Sequence, residues 1–132
     1  MKLLIAFGTD DGSKLKTDGH FGMSEYFSVY EFSDEKEVFV EQRENVKFKG
    51  DESIKHGDPA KARVTASALE NIDVVVGASF GPNIIRLLRK FVCIVVRTDR
   101  IEEAIKIIHS QIDKVIEQKN KGENRKHIVL RP

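Results

Sequence analysis

Cysteine is almost absent from this chain. Cys93 is the single thiol among 132 residues, so no internal disulfide can form. Nor can the chain enclose zinc or an iron–sulfur cubane with four thiolates of its own. A charge excess is missing too, because 22 Lys and Arg stand against 21 Asp and Glu, a formal +1. Nucleic-acid binders and membrane-surface proteins draw affinity from a clear basic excess, so neither kind of partner is expected. No apolar run reaches the roughly 18 residues of a membrane span, and the opening MKLLIAFGTDDG is too short for a secretory leader. Internal repeats and low-complexity stretches are lacking as well. These absences lead to the expectation of a cytoplasmic, soluble, single-domain protein. A chain of this size buries about two-thirds of its unfolded surface and needs no disulfide or structural metal to fold. Charged residues reach 33 %, a pattern common in thermophile proteins that speaks of habitat and not of function.

Local pattern predicts the elements. Lys2 to Phe7 is a short apolar run closed by Gly8, as in a buried strand. Gly8 to Gly22 carries four glycines and three aspartates and reads as a long loop of the kind that is often functional. Tyr26 to Phe32 alternates and is rich in aromatics, and Val38 to Gln42 pairs back on it across a polar turn. Glu44 to Pro59 reads as a second, charged loop, and Pro59 to Glu70 as a helix with Ala62, Ala66 and Leu69 on one face. Ile72 to Val76 and Phe91 to Val96 are short apolar strands, separated by a turn and helix over 78–88. Asp99, with Glu102 three residues on, is expected to cap one long helix. Its stripe is Ile101, Ala104, Ile105, Ile108, Ile112, Val115 and Ile116.

The expected fold class is α/β: one three-layer domain over 1–118 with a five-stranded mixed sheet and helices on its faces. Residues 119–132 follow as a basic tail, most simply a frayed terminus that can also dock an acidic partner. Strands linked through helices run parallel by right-handed crossovers, and ligands bind beyond the carboxyl ends of such strands. That edge gathers the Gly8–Gly22 loop, the Gly77–Asn83 turn and the Arg97–Asp99 turn.

The most pointed feature there is Asp18-Gly19-His20-Phe21-Gly22. Flanked by glycine, His20 can offer a neutral imidazole nitrogen to a metal. Alternatively His20 bonds to backbone and Phe21 plugs the edge of the core. Gly77-Ala78-Ser79-Phe80-Gly81-Pro82-Asn83 joins a strand to a helix, with Pro82 suited to a first helical position. Its amides suggest a small-anion site, although the spacing is neither a Walker loop nor a dinucleotide fingerprint.

The opening MKLLIAFGTDD, the segment GHFGMSEYFSVYEF and the segment IDVVVGASFGPN together resemble the dinitrogenase iron–molybdenum cofactor biosynthesis family, over roughly Met1 to Glu117. The resemblance implies a small domain with a ribonuclease-H-like α/β fold. It implies a carrier of the iron–molybdenum cofactor or an iron–sulfur cluster precursor, bound transiently, with a cluster-donor or acceptor protein as partner. The family's histidine of the His-Phe-Gly motif falls on His20, which becomes the expected metal ligand. Phe21 and Gly22 then shape the loop, while Thr9, Ser79 and Gly81 offer polar or backbone contacts to the cofactor. A preassembled cluster brings its own sulfides, so one or two protein ligands suffice and a lone cysteine is no objection.

Relatives with histidine-rich middle loops differ from this chain, which has only His56 there, a solvated loop residue on this reading. His109 and His127 lack a partner at metal-ligand spacing and read as surface residues. Cys93 lies in an apolar strand and reads as a small core hydrophobe. No Ser elbow, Cys-His pair or His-Glu-x-x-His segment points to an enzyme. A magnesium nuclease would draw on Asp10, Asp11, Glu31 and Asp73, but these fall at opposite ends of the sheet. The leading expectation is therefore a non-catalytic carrier. The alternative is a small-anion (phosphate or nucleotide) binding or regulatory module using the 79–83 turn.

Overall fold

The computed structural model describes residues 1–45 and 67–132. Most of the expected Glu44–Pro59 loop, with His56, and most of the expected Pro59–Glu70 helix lie outside the described residues; Glu44 itself ends β3. Six strands form one mixed sheet: β1 (Lys2–Thr9), β2 (Tyr26–Ser33), β3 (Glu37–Glu44), β4 (Val74–Gly77), β5 (Val92–Val96) and β6 (Ile128–Leu130). Their order is β3-β2-β1-β4-β5-β6. β1 to β3 make an antiparallel meander, while β4, β5 and β6 run parallel to β1. The described helices are α1 (Ile84–Leu87), α2 (Ile101–Ser110) and α3 (Ile112–Asn120).

Alternation along the strands produces two cores. Leu3, Ile5, Phe7, Val74, Val76, Val92, Ile94 and Val96 pack on one face against Ile101, Ala104, Ile108 and Val115 of α2 and α3. Ala6, Phe27, Val29, Val75 and Cys93 pack on the other face with Phe21, Leu69, Leu87 and Phe91. The central strands β4 and β5 are buried along their whole length. That is why their sequences are continuous Val/Ile runs and show no alternation of polarity. The result is the mixed α/β, three-layer arrangement expected from the sequence.

Three expectations are corrected. Among the described residues the sheet has six strands, because Ile128–Leu130 is no frayed terminus but pairs in parallel with β5. An uncovered β5 would leave a row of open backbone groups. β6 meets them, Arg97 N–H donates to Leu130 O at 2.9 Å, and Leu130 is buried. The long amphipathic helix is two helices, broken at Gln111, whose φ of −125° and ψ of 30° leave the helical region. Ser110 Oγ donates to Ile107 O at 2.7 Å just before the break, a hydroxyl competing for a helical carbonyl. Asp99 does not cap α2. The N-cap is the extended Arg100, with no side-chain cap bond, and Asp99 O accepts Leu15 N–H at 2.9 Å instead.

Candidate functional site

Glycines stand at the carboxyl ends of β1 and β4, Gly8 next to last in β1 and Gly77 last in β4, and Phe21 lies across both. A Cβ on Gly8 would sit 2.8 Å from Phe21 Cδ1, and one on Gly77 would sit 3.2 Å from Phe21 Cβ. Only a residue without a side chain allows the ring to approach the two strand ends this closely. Phe21 is buried and stacked between Phe27 and Phe80, each at a centroid distance of 5.0 Å. Its N–H donates to Ser79 O at 2.8 Å. The loop after β1 and the turn after β4 are thus joined by one hydrogen bond and one three-ring stack.

That junction places His20. The imidazole lies over Gly81, where a Cβ would come within 3.0 Å of His20 Cδ2 and 3.2 Å of Cγ. His20 is half-buried, with a backbone φ of −81° and ψ of 156°, and precedes a 3-10 turn over Phe21–Met23. The turn is closed by Met23 N–H to His20 O at 2.9 Å and by Ser24 Oγ to Phe21 O at 2.7 Å. Asn45 fastens the turn from β3's end by donating Nδ2 to Gly22 O at 3.0 Å and to Ser24 O at 2.8 Å. The structure therefore brings His20, Phe21, Gly22, Ser79 and Gly81 together, although 61 residues separate His20 from Gly81.

Thr9 stands apart from them in role. Its buried hydroxyl donates to Lys14 O at 2.5 Å and accepts Gly12 N–H at 2.9 Å, which fixes the first half of the loop. Asp11 works beside it. The Lys14 and Ser13 amides, both donating to Asp11 Oδ1 at 2.9 Å, hold its carboxyl below the usual carboxylate range. The second half carries Lys16, whose ammonium bonds Asp10 at 2.8 Å and Asp18 at 3.0 Å and is thereby held above its ordinary pKa. The three edge loops do converge: Leu15 bonds Asp99, and Lys14 forms an isolated bridge with Arg100.

α1 is a single turn of four residues, so its dipole is small. Ser79 O is engaged with Phe21, and Gly81 lies under the His20 ring. The nuclease carboxylates are scattered. Asp10 and Asp11 sit beyond β1, whereas Asp73 precedes β4 at the sheet's other end, accepting Leu4 N–H at 2.9 Å. Cys93 is fully buried, and burial pushes its thiol up to about 12, so it supplies no thiolate.

His109 differs from its expected surface role. Nδ1 meets Glu37 Oε1, and Nε2 faces Asp34 O at 3.1 Å, so α2 is clamped to the β2–β3 hairpin. The partners lie more than 70 residues away, where local spacing carries no signal. Sequence reasoning also passed over three residues of the His20 neighbourhood. Phe80 extends the ring stack, Asn45 fastens the turn, and Met23 exposes a thioether on the turn that follows His20. The aromatic in Ser79-Phe80-Gly81 was the available signal for the first.

As a donor set the site is sparse. Among the described residues no group of three His, Cys, Asp or Glu side chains is placed to hold a metal ion. Nor is any helix in them long and apolar enough to cross a membrane. A bare ion would find no cage here, whereas a cluster already carrying its own bridging ligands needs only one imidazole. The histidine fits that kind of group. A comparison with curated proteins returned no match. The family model described as dinitrogenase iron-molybdenum cofactor matches residues 1–111 of the 132, and the chain accordingly belongs to that family, which connects it with the biosynthesis or binding of this cofactor.

Proposed function

We propose that the protein is a non-catalytic carrier of a preassembled metal–sulfur cluster, either the iron–molybdenum cofactor or an iron–sulfur precursor of it. The cargo is received from a donor protein and passed to an acceptor. The observation that carries this reading is the His20 ring packed over Gly81, where no group of three or more His, Cys, Asp or Glu among the described residues is placed to cage a metal ion. His20 would bind one metal of the cargo through a neutral imidazole nitrogen. Phe21 and Gly22 set the ring's position, Ser79 and Gly81 form the facing wall, and Met23 adds a soft contact. Thr9 acts one step back by holding the loop in shape. Ligation through one protein atom suits a carrier, because transfer then requires the exchange of one bond rather than the opening of a cage.

The test is anaerobic titration of the protein with isolated iron–molybdenum cofactor. Metal retained through gel filtration and the cluster absorption are followed for the parent and His20→Ala. Near-stoichiometric retention by the parent, lost in the variant, is the expected result. Equal retention by both would overturn the assignment to His20, and no retention by the parent would overturn the carrier reading.

A further inference from the structure

The loop after β1 has a second side. Its later half carries His20 on the α1 face of the sheet, while its earlier half, Gly12 to Lys14, faces α2. There it walls a cleft of about 520 Å³ with Tyr30, Arg100, Ile101, Glu102 and Ile105. The cleft lies at the start of α2, where Ile101 N–H donates to Ser13 O at 3.1 Å and ties the helix to the loop. His109 near the end of α2 is tied to Glu37 and Asp34. Tyr30 lines the gap left between helix and hairpin.

The lining is amphipathic in a specific way. Ile101 and Ile105 give an apolar wall. The Tyr30 ring sits edge-on to Phe7 at 5.5 Å and to Phe39 at 5.4 Å, which fixes it in place. Burial pushes the Tyr30 phenol up, so at neutral pH it is an un-ionised hydroxyl able to donate. That hydroxyl makes no hydrogen bond to the described residues, nor does the Lys14 ammonium form an ion pair with them. Among the described residues the Arg100 guanidinium has one ion pair, a solvent-exposed contact of 3.3 Å to Glu102, a weak pair. Two cations, a phenol and the Glu102 carboxylate thus line one cavity, with the Asp11 carboxylate close enough to Lys14 to feel its charge.

Inorganic phosphate alone would leave the isoleucine wall against water, and an uncharged apolar molecule would leave the cations unused. We propose that this cleft binds a small organic phosphate of mononucleotide size, its phosphate between Lys14 and Arg100 and its body on Ile101, Ile105 and Tyr30. The site is separate from His20 and does not depend on the carrier reading. Glu102 opposes the ligand, both by repulsion and by competing for the Arg100 guanidinium.

The experiment is a titration of the isotope-labelled protein with adenosine 5′-monophosphate and with phenyl phosphate, read by amide chemical shifts. Inorganic phosphate and adenosine serve as controls. Saturable shifts at Gly12, Ser13, Lys14, Arg100 and Glu102, stronger for the organic phosphates than for either control, are expected. Lys14→Ala and Arg100→Ala should each weaken binding roughly tenfold, and Glu102→Gln should tighten it, as charge-assisted contacts require. Well-dispersed spectra of these surface variants establish that each is folded. The proposal is overturned if neither organic phosphate saturates below 10 mM, on the order of the weakest useful affinity. It is equally overturned if the shifts centre on residues 79–83, or if the three variants bind like the parent.

Discussion

The His20 ring rests on the Cα of Gly81, with its Cδ2 only 3.0 Å from where a Cβ would stand. A methyl group there must push the imidazole aside by a few tenths of an ångström. Gly81→Ala is therefore expected to lower cluster retention about tenfold, because displacements of about 0.5 Å already spoil a ligating geometry. Its thermal midpoint should stay near that of the parent. Anaerobic retention and a thermal melt measured together check this, and a large fall in the melt would mean that Gly81 serves the fold.

Phe21 is the deepest part of the same neighbourhood. Phe21→Ala removes the middle ring of three and opens a cavity beneath Gly8 and Gly77, for an expected loss of about 3–5 kcal/mol. Phe80→Ala takes away an outer, half-buried ring and should cost clearly less. Urea denaturation of both variants gives the comparison, and similar losses would contradict the stack's geometry.

Gly8 tests the slot from beneath. An added Cβ meets Ser24 Oγ at 2.6 Å and Phe21 Cδ1 at 2.8 Å, and both groups are themselves held by neighbours. Gly8→Ala should destabilise by about 1–3 kcal/mol, the usual penalty of overpacking. Equilibrium unfolding by circular dichroism decides, and a neutral result would show that the turn over Phe21–Met23 can give way.

The His109 clamp predicts a pH dependence. Its hydrogen bond to Glu37, then that to the Asp34 carbonyl, raises the imidazole pKa above the ordinary 6.5. A pKa raised by folding means that the native state binds the proton more tightly than the unfolded chain does. The added stability is complete below about pH 6.5 and disappears as pH climbs through the elevated native value. Unfolding measured across pH 5.5 to 9 should show this decline, and His109→Gln should flatten it. A parallel decline in the variant would assign the effect elsewhere.

Leu130 is buried, while Val129 beside it is exposed. If β6 is an integral strand, Leu130→Ala should cost about 2–5 kcal/mol and Val129→Ala under about 1 kcal/mol. Thermal melts of the two variants give the contrast. Equal and small effects would return the segment to the status of an appendage.

Five strands were legible in the sequence, by apolar runs for β1, β4 and β5, by alternation for β2, and by a polar turn that brings β3 back onto β2. β6 was not. Its three residues lie among basic ones, and their partner β5 is reached only after two helices, so nothing local marks Ile128–Leu130 as sheet. The break at Gln111 escaped notice because the apolar stripe of α2 and α3 runs through it without a phase change. His20 stood out by its glycine neighbours, and the turn after β4 by Gly81-Pro82. Their contact follows from β1 and β4 lying side by side. The His109–Glu37 pair had no such frame, because it joins a helix to a hairpin edge through side chains alone.

The Phe21 amide, donating to Ser79 O beneath stacked rings, gives the loop an unusual standing in time as well as in space. Segments of this length ordinarily open and close on their own, far more often than the whole domain unfolds. Here the amide next to His20 should exchange with solvent deuterium as slowly as those of β4, since freeing it requires separating Phe27, Phe21 and Phe80. If His20 carries the cargo proposed above, its residence time is then set by the metal–nitrogen bond rather than by the breathing of a loop.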